Sequence, residues 1–193
     1  MSTDLADAIR VSLRVAEVFE QLGIPYLVGG SVASSLHGIP RATEDVDVVA
    51  LIAGRQVPAL VAALGAEFYA DGDMMLDAIL HRTEFNLIHL PTVTKVDVFV
   101  PGHGSSFGAQ HARAQRQAVS TEGTLMVASP EDTVAQKLAW YRQGGGVSDR
   151  QWRDVLGVLK VQGQRLDRET ARDAARSLGV EDLLERAFDE ATR

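Results

Sequence analysis

The run Asp45-Val46-Asp47-Val48-Val49 constrains this chain more than any other stretch. Side chains of a strand alternate between the two faces of its sheet, so Val46 and Val48 point into a core while Asp45 and Asp47 share the opposite face. Two carboxylates then stand about 7 Å apart along one strand. Hard divalent cations take such oxygen ligands, and Mg²⁺ is held by one or two carboxylates together with substrate phosphates. Asp45 and Asp47 are therefore candidate ligands for Mg²⁺ or Mn²⁺.

Upstream, Tyr26-Leu27-Val28 reads as a strand that runs into Gly29-Gly30-Ser31, with a short helix over 32–37 stopped by Gly38 and Pro40. Two glycines permit a tight turn and a close backbone approach to a ligand, and Ser31 is expected as the helix N-cap. Free amides and the positive dipole end at a helix start form an anion site, which makes Gly29, Gly30 and Ser31 candidate phosphate binders.

Downstream, 84–90 and 95–100 read as an antiparallel hairpin around Pro91-Thr92-Val93-Thr94. Asp97 shares a face with Lys95 and Phe99 on an otherwise apolar strand. A buried charge there needs a partner, which would be a bridging metal or the Lys95 and Arg41 cations.

A Gly-Ser turn followed, after a short helix, by Asp-x-Asp resembles the nucleotidyltransferase superfamily, the fold of DNA polymerase beta. Arg41-Ala42-Thr43-Glu44-Asp45-Val46-Asp47 is most similar to the small bacterial AbiEii-type nucleotidyltransferases. The resemblance covers roughly residues 24 to 155. It implies a third carboxylate on a neighbouring strand, matched by Asp97, and a phosphate-contacting lysine after a Ser-Pro-Glu-Asp helix start, matched by Lys137. An aspartate on the next helix is also implied, with Asp154 the better match and Asp149 the weaker one. Without the resemblance, Lys137 reads as a solvated helix cation and Asp97 as a salt-bridged strand residue. The gap between Ser31 and Asp45 is longer than in the commonest form of the superfamily.

The expected fold class is α/β (α+β): a small mixed sheet flanked by helices, then a helical C-terminal region. Pro101 to Gly108, rich in glycine and serine, places the boundary between a core of 1–108 and a region of 109–193. Helices are expected over 3–22, 57–64, 73–80, 110–118, 130–143 with Ser129 as N-cap and Pro130 at the first position, 149–161 capped by Ser148, from Asp167 to Gly179 and over 181–191, with one further strand near 125–128.

The sequence has 193 residues and no cysteine, so disulfides, thiolate metal sites and cysteine nucleophiles are excluded. No segment approaches the roughly 18 apolar residues of a membrane span, and a soluble, cytoplasmic protein is expected. A net charge of −7 argues against a broad nucleic-acid binder. The five histidines lack zinc spacing, and no Gly-x-x-x-x-Gly-Lys phosphate loop occurs.

The resemblance implies transfer of a nucleoside monophosphate from an NTP to an acceptor hydroxyl or phosphate, with release of pyrophosphate. Asp45, Asp47 and Asp97 would hold two Mg²⁺ (or Mn²⁺), Gly30 and Ser31 the β and γ phosphates. Arg41 and Lys137 would offset charge on the leaving pyrophosphate. The acceptor is open among tRNA, protein and small molecules. One alternative is a toxin with an antitoxin partner, acting on tRNA through a patch of Arg82, Arg113 and Arg116. The other is a nucleotide-binding protein of the same fold without turnover.

Overall fold

The computed structural model describes residues 5–121 and 123–192. Its chain divides into two compact units, one reaching to Val32 and resuming over Ala42–Val127, the other made of Ala33–Arg41 and the chain from Ala128 onward. The expected boundary at residue 108 thus falls inside the first unit. Glycine and serine between 101 and 108 mark a surface loop, after which the chain returns to the same sheet.

Among the described residues of the first unit, the strands form one seven-stranded mixed sheet in the order β3-β4-β5-β2-β1-β7-β6. They are β1 (Tyr26–Val28), β2 (Asp45–Ala50), β3 (Phe68–Tyr69), β4 (Glu84–His89), β5 (Thr94–Phe99), β6 (Gln115–Ser120) and β7 (Gly123–Val127). β2 runs antiparallel to β1 and parallel to β5, and β1 runs parallel to β7. The sheet is larger than expected because β3 and β6 belong to it as well as the strand expected near 125–128. Residues 115–118 were expected in a helix, but the helix, α5, covers only Phe107–Arg113. β6 is an edge strand whose polar residues show no alternation, and pairing with β7 overrides their helical preference.

One sheet face is sealed by α1 (Leu5–Gln21), which packs on β2 and β5 and against α3 (Val57–Leu64). Ala8, Val11, Val15, Val18 and Phe19 of α1 recur at helical spacing and are all buried, as are Val46 and Val48 of β2 and Val96 and Val98 of β5. The expected helix start at Thr3 lies outside the described residues. α4 (Gly72–His81) buries Met75 and Ala78, and Asp71 caps it by accepting from the amides of Asp73 and Met74.

The second unit is a helical bundle of α6 (Pro130–Gln143), α7 (Asp149–Gln162), α8 (Arg168–Ser177) and α9 (Glu181–Ala191). Each of the first three starts on the predicted cap. Ser129 Oγ accepts from the Asp132 amide at 3.1 Å, Ser148 Oγ from Gln151, and Asp167 Oδ1 from Glu169 and Thr170. Val134, Leu138, Tyr141, Trp152, Val155, Ala171, Leu184 and Phe188 form its core. Residues 33–41 dock on α7. A Cβ on Gly38 would lie 2.7 Å from the Val158 amide nitrogen and 2.8 Å from the Gly157 carbonyl carbon, so backbone meets backbone there and only glycine fits. No described helix is long and apolar enough to cross a membrane.

Candidate functional site

In the first unit the site is built on the parallel ladder of β2 and β5. Its register sets Asp45 beside Lys95 and Asp47 beside Asp97, with Asn86 of β4 paired to Asp97 on the other side. Because Val46, Val48, Val96 and Val98 are sealed in the core, register is pinned by burial, and the acidic residues must face outward together. Asp45 is exposed and Asp47 half-buried. The third carboxylate expected from the sequence therefore stands directly across from Asp47.

The glycine turn is tied to the same strand. Gly29 donates its amide to the Asp47 carbonyl at 2.9 Å, which extends the β1–β2 ladder into the turn. Gly30 has φ +54°, and a Cβ there would fall 1.7 Å from Asp47 Oδ2. The room expected for a ligand at Gly30 is thus filled by the Asp47 carboxylate itself. α2 spans Gly30–His37 and starts two residues earlier than expected, so Ser31 lies in its first turn rather than at the N-cap.

Asp97 has its charge matched within the strand: Lys95 Nζ lies 2.9 Å from Asp97 Oδ2, with the side chains 44% and 16% exposed. The hydrogen bond to Asp97 holds the lysine above its usual pKa, against a smaller opposing effect of burial. Among the described residues, no three histidine, aspartate or glutamate side chains converge as a metal-ligand group. The donor set nevertheless suits a hard cation, since three carboxylates sit on one sheet face at adjacent register positions. Lys95, one of the three partners that the sequence reading offered for the Asp97 charge beside Arg41 and a bridging metal, is thus paired with it, and Lys-x-Asp on one strand face was the signal. Of the three arginines expected to form a basic patch, Arg116 is engaged by Glu20 Oε1 at 3.0 Å.

In the second unit, three of the expected residues form one ion cluster. Asp154 of α7 accepts Nε and Nη2 of Arg41, each at 2.8 Å, and Nζ of Lys137 at 2.7 Å. Lys137 is only 2% exposed and is not the solvated cation that its helix position alone would allow. Burial would raise the Asp154 pKa, but the hydrogen bonds and charges of Arg41 and Lys137 outweigh it and hold the carboxyl below its usual value. A carboxylate with a depressed folded-state value stabilises the fold fully above its unfolded value of about 3.9, and that contribution vanishes as pH falls through the folded value. Wild type should therefore melt well above Asp154→Asn at neutral pH, the gap narrowing below about pH 4. Melting curves of both proteins from neutral pH down to pH 2 check this, and a gap independent of pH would refute it. Asp149, the weaker match, is simply in the first turn of α7.

His37 is buried, with Nε2 2.7 Å from the Ala128 carbonyl oxygen, and burial pushes its pKa down. Its role is to hold the end of α2 in the bundle, where Gln162 also donates to the His37 carbonyl at 2.6 Å.

No protein-family model and no curated protein matches the chain. Solved structures do. An antigenic nucleotidyltransferase-like protein from Paracoccidioides brasiliensis superposes with a TM-score of 0.58 at 18% identity, over 98% of this chain and 95% of that one. The solution structure of the antibiotic-resistance factor ANT(2'')-Ia gives 0.58 at 12% identity, over 97% and 98%. At such identities the likeness speaks for architecture. The mixed sheet with its flanking helices is the nucleotidyltransferase fold.

Proposed function

We propose that the chain transfers a nucleoside monophosphate from an NTP to an acceptor hydroxyl or phosphate and releases pyrophosphate. The observation that carries this reading is the β2–β5 register, which sets Asp47 against Asp97 with Asp45 on the same face and Gly29 hydrogen-bonded to Asp47. The fold shared with a nucleotidyltransferase-like protein and an antibiotic-resistance factor supports it.

Asp45, Asp47 and Asp97 would hold Mg²⁺ or Mn²⁺, which when bound supplies neutralisation of the triphosphate charge and acidifies an acceptor hydroxyl. The chain's own groups do the rest. Amides at the start of α2, with Ser31 in its first turn, donate to phosphate oxygens. The acceptor oxygen forms a bond to the α-phosphorus as the bond from that phosphorus to the bridging oxygen breaks, and pyrophosphate leaves with the bonding pair. Where the acceptor is a hydroxyl, its proton passes to Asp97 or to solvent. Arg41 and Lys137, which the resemblance assigns to charge on the leaving pyrophosphate, are held together by Asp154 within the second unit. Positioning and charge compensation account for most of the rate.

The test is NTP binding by calorimetry. Bare carboxylates repel a triphosphate, so affinity should be at least about tenfold higher with Mg²⁺ or Mn²⁺ than in EDTA. Equal affinity in both conditions would remove the metal role from the carboxylate row.

A further inference from the structure

Lys95 lies on the same sheet face as the three carboxylates. Its ammonium is 2.9 Å from Asp97, its Cα is the register partner of Asp45, and the charges of both Asp45 and Asp47 act on it. A lysine is a compact point charge on a flexible stem, and this side chain is 44% exposed, so it can leave Asp97 without disturbing the core.

We propose that Lys95 is a built-in counter-ion of the carboxylate row, holding Asp97 until a divalent cation displaces it. This rests on the reading of the row as a metal site. The physical reason is competition for one place. Three neighbouring carboxylates repel one another, and a cation among them relieves that repulsion. Lys95 does so from within the chain, and it is repelled in turn by a divalent ion. The lysine therefore stabilises the metal-free protein and lowers its affinity for the ion.

The experiment is a calorimetric Mn²⁺ titration of the nucleotide-free full chain, run on wild type, Lys95→Met, Lys95→Arg and an Asp45→Asn/Asp47→Asn control. Melting temperatures are measured in EDTA and in saturating Mn²⁺. Lys95→Met should bind Mn²⁺ roughly fivefold more tightly than wild type, the weight of a half-exposed ion pair. It should melt lower than wild type in EDTA, and saturating Mn²⁺ should close that gap. Lys95→Arg, which keeps the charge, should bind no more tightly than wild type, and the control should lose the site. If wild type and Lys95→Met bind equally, if the latter binds more weakly, or if Lys95→Arg gains as much as Lys95→Met, the counter-ion role is overturned while the metal site stands. If neither wild type nor Lys95→Met binds Mn²⁺, the metal site itself is refuted, and the counter-ion role with it.

Discussion

Asp97→Asn is expected to lower nucleotidyl transfer by roughly two to four orders of magnitude while moving the melting temperature by only about 2 °C. The asymmetry follows from what Asp97 touches. Its ion-pair partner, Lys95, is 44% exposed, so water screens the pair and its loss costs at most about 1 kcal/mol. The carboxamide keeps the shape of the side chain. Removing one of three neighbouring charges also relieves repulsion with Asp47 across the ladder, a term of opposite sign. Transfer has no such compensation, because a neutral amide neither accepts the acceptor's proton nor binds a hard cation as a carboxylate does. Single-turnover transfer with labelled NTP and melting in EDTA, both on the same variant, check the two halves. A destabilised protein with full transfer would make Asp97 an ion-pair residue and nothing more.

Most helix ends were legible because they rest on local chemistry. Ser129 with Pro130, Ser148 and Asp167 cap their helices as read, and α3 and α9 keep their expected bounds. The miss at β6 has the opposite character. Residues 115–118 hold glutamine, arginine and alanine, good helix formers in isolation, and only the adjacent β7 makes them a strand. The same pairing moved the unit boundary from residue 108 to 127. A loop rich in glycine and serine looks alike whether it links two units or turns within one.

The carboxylate row was legible for a related reason. Alternation within β2 and β5 assigns faces from sequence alone, and the faces came out as read. What alternation cannot give is the partner of each charge. That Lys137 is buried on Asp154 depends on α6 lying against α7, a contact between residues 17 apart that no helical period reports. Positional resemblance singled out both residues. It offered a phosphate contact for Lys137; the ion pair with Asp154, which lets an ammonium 2% exposed persist in an apolar bundle, could be read only from the structure.

Gly30→Ala should be the most damaging single-methyl change in the first unit. The added Cβ would meet Asp47 Oδ2 at 1.7 Å, Cγ at 2.5 Å and Cβ at 2.7 Å. Rotating the carboxylate clears its oxygens but not the Cβ, so β2 and the turn must separate, straining the Gly29 to Asp47 backbone hydrogen bond. Alanine at φ +54° adds about 1–2 kcal/mol of left-handed strain, and overpacking a further 1–3. A fall in melting temperature on the order of 10 °C is therefore expected for a chain of this size. Transfer should drop at least about a hundredfold even in the folded fraction, because Asp47 would be moved by an ångström or so from its place in the row. The cause can be isolated with a double-mutant cycle. Asp47→Gly removes all three clashing atoms, so Gly30→Ala imposed on Asp47→Gly should cost only the backbone strain, leaving a coupling of about 1 kcal/mol or more. Strictly additive melting penalties would mean that Gly30 is required for its backbone conformation alone, and that the Asp47 carboxylate is not held in place by the glycine beside it.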